Sequence, residues 1–279
     1  MRFSIITPSF RSSSWLKLCI ASVADQGVSL EHIVQDGGSD DGTLDWLPGD
    51  RRVTAFVERD QGMYDALNRG LRRAKGDILA WLNCDEQYLP GALAGVTHFF
   101  ERHPEVDVVF GDVVMVDGQG NYLWHRKMLP PLKYHTWTCH LSTLSCATFF
   151  RRRVVFEQGD FFDPKWRDVG DGEWMVRLLR RGVPMAALRE FTSAFTQTGS
   201  NMSQGANARR EARELRRSAP TWARWLRLYW ILEHRVRRWA GGLYAQDLFD
   251  YALYTQASPA ERRLFHVARP TFRPCAPAA

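Results

Sequence analysis

Four consecutive residues, Asn83-Cys84-Asp85-Glu86, follow an apolar run over residues 78–82. A carboxylate just past a buried strand projects into the crevice there. It can hold Mg2+ or Mn2+ through oxygen while the ion keeps several waters and takes phosphate oxygens on its other side. Such an ion offsets the charge that builds on a leaving diphosphate. A plain acidic turn has the same sequence, so this element does not decide by itself. A second acid, Asp36, closes the run at residues 32–35 and precedes Gly37-Gly38. It can accept from a base N–H or a ribose hydroxyl, and glycines let backbone approach a ligand. Asp40 and Asp41 read as an Asx turn or a helix cap, and Cys84 as a small packed residue.

These side chains need strands to aim them. Residues 3–7 form a short apolar run stopped by Pro8, which predicts a buried strand. Ser12–Ser14 offer caps for a helix carrying Trp15, Leu18, Cys19 and Val23. Further strands are predicted at 32–35, 53–57, 78–82 and 106–110, with helices at 64–73 and 93–100. This alternation predicts a mostly parallel α/β sheet with helices on both faces. Ligands of such sheets sit beyond the carboxyl ends of the strands. There the polar residues collect: Thr7 and Ser9, Asp36, Glu58 and Asp60, then Asn83, Asp85 and Glu86. The second half is less regular. It predicts a hairpin (113–116 and 122–125), strands at 148–150 and 185–188, and a helix at 172–181.

Composition narrows the class. The 279 residues are 45% hydrophobic and 24% charged, ordinary for a folded soluble protein, with a net charge of +6 that favours anionic partners. Five scattered cysteines lack a C-x-x-C pair, which argues against a disulfide framework or structural zinc and for a reducing cytosol. The start MRFSIITPSF lacks a signal-peptide core, and no run is long enough to predict a transmembrane helix. Residues 209–238 carry ten Arg against three Glu, interleaved with Trp222, Trp225, Tyr229 and Trp230. That segment suits either helices packed on the rest, the favoured reading, or a membrane-surface contact through residues 209–239. No nucleic-acid module is visible, and none is expected as partner. His135 and His140 read as structural histidines.

The order of the phrases IITPSFRSSSWLKLCIASVADQ, EHIVQDGGSDDGT and ERDQGMYDALNRGLRRAKGDILAWLNCDE resembles glycosyltransferase family 2. The resemblance spans residues 2–90 and, less densely, 145–200, and is nearest to exopolysaccharide and colanic-acid transferases. It implies a GT-A (Rossmann-like nucleotide-binding) fold and an inverting, Mn2+- or Mg2+-dependent transfer of sugar from a nucleotide-diphosphate donor, UDP being the commonest choice. The acceptor it implies is a glycan or a polyprenyl-linked sugar. By position, Thr7 and Pro8 line the nucleoside pocket through backbone. Asp36 reads the base, and Asp60 and Asn68 lie beside the nucleotide. Asp85 matches the metal-binding last acid of D-x-D, with Asn83 in the place of its first. Inversion needs a carboxylate to take the acceptor proton opposite the diphosphate. Asp171, in VGDGEWMVR, matches that base, with Asp168 and Glu173 as neighbours that compete for the role. Arg177 pairs with an acid or touches the diphosphate. Ser145 and Cys146 stand at a His-Gln pair near the acceptor, and residues 198–203 match a loop over the diphosphate. The expected division is a catalytic domain at 1–204 (nucleotide half 1–110, acceptor half 111–204) and a basic helical extension at 205–279. The enzyme is expected in the cytoplasm, at the inner membrane face if the extension touches lipid. A nucleotidyltransferase and a non-catalytic binding protein acting through its basic tail are the alternatives.

Overall fold

Apolar runs punctuated by Pro, Gly and Asp become the strands of one sheet. The computed structural model describes residues 1–198 and 205–273. Its strands are β1 Phe3–Ser9, β2 Leu30–Asp36, β3 Thr54–Val57, β4 Ile78–Trp81, β5 Glu86–Tyr88, β6 Val108–Val116, β7 Tyr122–Arg126, β8 Thr148–Arg151 and β9 Met185–Thr196. A separate hairpin pairs β10 Phe249–Thr255 with β11 Ser258–Val267. The helices are α1 Ser13–Ala24, α2 Thr43–Trp46, α3 Met63–Arg73, α4 Ala92–Arg102, α5 Lys133–Thr138, α6 Arg152–Phe156, α7 Gly170–Arg181, α8 Ala206–Arg217, α9 Thr221–Trp225 and α10 Arg227–Ala240.

The sheet order is β3-β2-β1-β4-β8-β6-β9-β5, with β7 paired to β6. The first four strands are parallel, as expected; beyond β4 the sheet is mixed. The chain runs outward from β1 to β2 and β3, then returns to the other side of β1 as β4. That reversal is a topological switch point, where a crevice opens past the carboxyl ends of β1 and β4.

Two predicted pieces merge. The strand at 106–110 and the first arm of the hairpin at 113–116 are one continuous strand, β6, buried throughout. The extension is helical through Ala240 and then adds the β10–β11 hairpin, which the sequence reading leaves out. Arg262 of that hairpin pairs with Asp25 at 2.6 Å and donates to the Tyr88 carbonyl, tying the extension to α1 and β5.

Around the switch point the core is aromatic. Trp81 of β4, Phe162 and Trp174 of α7 pack with ring centroids 5.0–5.8 Å apart. Trp174 is fully buried, and its indole N–H donates to the Asp160 carbonyl at 2.7 Å. Trp174→Ala removes the fully buried indole of this cluster and leaves that carbonyl without its donor. We expect a loss of about 3–5 kcal/mol, read as a lower urea midpoint at unchanged slope.

Candidate active site

The crevice is built from the ends of β1, β2 and β4 and the first turns of α3 and α7. Asp36 ends β2 fully buried and accepts four hydrogen bonds. They come from Ser9 Oγ at 2.8 Å, Gly38 N at 2.9 Å, Ser39 N at 2.7 Å and Ser39 Oγ at 2.8 Å. A carboxylate has about four such sites, so Asp36 holds the loop at residues 37–39 against β1. That loop abuts Asp60: a methyl group on Gly37 would stand 2.9 Å from Asp60 Oδ2 and 3.4 Å from the ring of Phe10. Phe10, which sequence reasoning missed, is an exposed aromatic ring at the mouth of the crevice.

Thr7 is buried, with its hydroxyl 2.8 Å from His32 Nε2, and burial pushes His32 down to about 3. The side chain of Thr7 is thus committed within the core, and the Pro8 carbonyl accepts from the Cys84 thiol at 3.3 Å. Asn68 is also buried. Its Nδ2 donates to the Phe162 carbonyl at 2.8 Å and its Oδ1 accepts from Phe162 N at 3.0 Å, which pins the loop that carries Phe162 to α3.

After β4 the backbone turns, Glu86 N donating to the Asn83 carbonyl. Glu86 points inward, where it accepts from Asn83 N at 2.8 Å and Ser145 Oγ at 3.3 Å. Burial, and then the charge of Asp85, raise its pKa. Asp85 is half-buried, and burial raises its pKa too. No hydrogen bond or ion pair reaches its side chain from another described residue, and the buried Asn83 Oδ1 also lacks a partner. The Asp85 carboxylate and the Asn83 amide oxygen are thus left without a partner among the described residues. Among the described residues no group of three or more His, Cys, Asp or Glu is placed to hold an ion. The chain itself offers one carboxylate and one amide oxygen. That set fits a hard divalent cation whose remaining ligands are water and donor phosphate.

Asp171 stands in the first turn of α7, against α3. Its N–H donates to Tyr64 Oη at 3.0 Å, and Tyr64 O–H donates back to its Oδ1 at 3.2 Å. Gly172 N also donates to Oδ1, at 2.8 Å, which leaves Oδ2 open; burial raises the pKa. The two neighbouring acids are occupied. Asp168 accepts from Asn207 at 2.8 Å, and Glu173 pairs with Arg177 at 2.8 Å. Arg177 pairs with Asp160 as well, so it meets core acids as expected. Ser145 reaches Glu86, whereas Cys146 is packed in the core. Of the loop matched at 198–203, residues 199–203 lie outside the described residues.

A sequence profile, Glycosyl transferase family 2, matches residues 4–160, more than half of the chain. The chain belongs to glycosyl transferase family 2. As a family 2 glycosyltransferase it is 33% identical to a PGL/p-HBAD biosynthesis glycosyltransferase of Mycobacterium bovis (63% of this chain, 68% of the relative). It is 38% identical over 89 residues to an uncharacterized glycosyltransferase of Mycobacterium tuberculosis (30% of this chain, 34% of the relative). Among solved structures it is similar to S. aureus TarS 1–349 in complex with UDP-GlcNAc, at TM-score 0.60 and 17% identity, over 74% of this chain and 61% of that one. It is also similar to the Pyrobaculum calidifontis mannosyltransferase PcManGT with GDP-Man and Mn2+, at TM-score 0.55 and 18% identity, over 76% and 60%. This chain thus spans less than two thirds of those structures, which establish a shared GT-A-like fold. Membership in a transferase family displaces the nucleotidyltransferase and non-catalytic alternatives.

One further residue escaped the sequence reading. Glu211 of α8 is 2% exposed and accepts from Arg167 N, Asp168 N and Val169 N at 2.9–3.2 Å, fixing the segment that leads into Asp171. Burial opposes its charge, but the N–H groups of Asp168 and Arg167, with Asn207, prevail and hold its pKa below the usual 4.5. Its contribution is therefore complete above pH 4.5 and is lost as pH falls through the lower folded value. Glu211→Ala should cost about 2–3 kcal/mol in thermal or chemical unfolding at pH 7. The deficit should shrink toward zero in strong acid; an undiminished deficit there would contradict this role.

Proposed function

We propose that this glycosyltransferase is metal-assisted and inverting, and moves a sugar from a nucleoside diphosphate, a UDP-sugar by preference, to a hydroxyl of a glycan or lipid-linked acceptor. The observation that carries the reading is a pair of acids, Asp85 just past β4 and Asp171 in the first turn of α7, on elements joined by the Trp81–Trp174 contact, neither of them ion-paired among the described residues.

Asp36 and Asp60 shape the nucleoside end of the site, with Thr7 and Pro8 offering backbone and Phe10 a ring face. Asn68 works by positioning the loop with Phe162. Asp85 and Asn83 would hold Mn2+ or Mg2+; bound there, the ion supplies positive charge to the departing diphosphate. Asp171 Oδ2 takes the proton of the acceptor hydroxyl as that oxygen bonds to the anomeric carbon. The bond from carbon to the diphosphate oxygen breaks, and its electron pair leaves with the nucleoside diphosphate. Attack opposite the leaving group inverts the centre. Tyr64, by holding Oδ1, directs the second oxygen into the crevice. TarS 1–349 is solved with UDP-GlcNAc and UDP, and PcManGT with GDP-Man and Mn2+, which supports a nucleotide-sugar donor and a metal. On this reading residues 1–204 perform the chemistry and 205–279 position it, in polysaccharide or glycolipid assembly. The mycobacterial relative, named for PGL/p-HBAD biosynthesis, supports a glycolipid or glycan product.

Asp171→Asn should lower kcat about 10²–10⁴-fold while donor affinity holds. Wild-type kcat/KM should lose activity on the acid side through a pKa above the usual 3.8, since the base must be ionised and burial raises that pKa. The asparagine variant should lack that limb. Asp85→Ala should abolish Mn2+-dependent donor hydrolysis. Normal transfer by Asp171→Asn would end the assignment of the base.

The membrane contact takes its support from α9 and α10. Trp225 is 84% exposed, Leu228 80% and Trp239 75%; with Leu232 and Val236 they line one side of the helices, among Arg side chains. Such a stripe suits the surface of an anionic bilayer, although among the described residues no helix is long and apolar enough to cross one. Vesicles rich in phosphatidylglycerol should sediment the protein, and Leu228→Asp with Leu232→Asp should release it.

A further inference from the structure

Away from the crevice, β7, the strap after α5 and α10 enclose a half-open pocket of 220 Å³. That is several times the roughly 30 Å³ a water occupies in the liquid. Its lining carries three guanidinium groups, Arg126, Arg235 and Arg238, beside His234, Trp124, Ser142 and Tyr244. No Asp or Glu lines it. Trp124 and Ser142 are more than nine-tenths buried, and among the described residues neither Trp124 Nε1 nor Ser142 Oγ has a hydrogen-bond partner. Native proteins seldom leave buried donors unsatisfied, because each costs about 1–3 kcal/mol.

The cations are uncompensated too. Burial and then the charge of Arg238 lower the pKa of Arg126, and among the described residues no carboxylate pairs with either. Arg238 is held in place by the Lys127 carbonyl at 2.9 Å and lies over the Tyr244 ring. The carboxylate that feels these charges, Asp112, is already committed to Met128 N at 2.7 Å and to Arg189. His234, stacked on His135, is neutral because burial pushes it down to about 3; it presents an imidazole rather than a charge.

The geometry points to a second anion site: this pocket binds the phosphate or diphosphate group of a phosphate ester, distinct from the nucleotide of the donor. Guanidinium forks recognise phosphate oxygens through paired N–H groups. The orphaned indole and hydroxyl add two neutral donors. The place also suits an acceptor. Ser142 lines the pocket, and Ser145, three residues along the same strap, bonds Glu86 beside Asp85. Three residues reach at most about 11 Å. Arg235 of α10 also borders the exposed apolar stripe, so a phosphate seated here lies next to the face offered to lipid.

The test is equilibrium dialysis of the full chain against labelled pyrophosphate and, in parallel, geranyl diphosphate, at fixed salt. Saturable binding is expected. It should weaken about tenfold or more in Arg126→Gln and in Arg235→Gln, the loss of a charged hydrogen bond, and stay unchanged in Asp85→Asn. Arg235 is exposed and has no partner among the described residues, so its variant keeps the fold. Trp124→Phe separates ligand binding from structure. It removes an unsatisfied buried donor, so thermal stability should hold or rise while affinity falls. Tighter binding of geranyl diphosphate than of pyrophosphate identifies a lipid-borne phosphate, and equal binding a soluble one; both support the site. Binding that survives both arginine variants, or that vanishes in Asp85→Asn, overturns it.

Discussion

The chemistry of this enzyme depends on the packing of Trp81, Phe162 and Trp174. Trp81 lies four residues before Asp85, and Trp174 three after Asp171. Their rings meet edge to face with centroids 5.8 Å apart, and Phe162 closes the third side. Close-packed interiors transmit displacement instead of absorbing it. The relative placement of the ends of β4 and α7 is therefore set by side chains buried in the core. Asn68 and Tyr64 extend the same clamp, the first by bonding the backbone of Phe162 and the second by packing on its ring while bonding Asp171.

The site is electrostatically unfinished when the protein is alone. Asp85, Glu86 and Asp171 are desolvated, and burial raises the pKa of each. Glu86 is the structural member of this group, bonded to Asn83 N and Ser145 Oγ. Charge held without a counter-ion opposes folding. Such carboxyls are disposed to take up a proton or a cation.

The parallel half of the sheet was legible because each strand is an apolar run ended by a polar or glycine-rich turn. Asp36, Asn83 and Asp85 could be placed from sequence for that reason, at the ends of β2 and β4. What stayed hidden has partners far off in sequence. β5 is three residues long and is a strand only because β9 lies beside it. The Arg-rich segment hid Glu211, whose role is visible only once Arg167, Asp168 and Val169 are folded against it. Composition could not separate the packed side of that segment, Ala208, Glu211 and Leu215 of α8, from α10, none of whose residues is fully buried. The choice among Asp168, Asp171 and Glu173 likewise turned on Asn207 and Arg177, which occupy the outer two.

The tether from Glu211 to the segment before α7 has a bearing on how the molecule comes into being. Chains emerge from the ribosome amino end first, and early regions begin to fold while later ones are still being made. The nucleotide-binding strands and Asp171 itself are all synthesised before residue 211. A nascent chain can thus assemble those strands yet lack the carboxylate that secures the backbone leading into Asp171. The ordering of that segment therefore waits until α8 has docked.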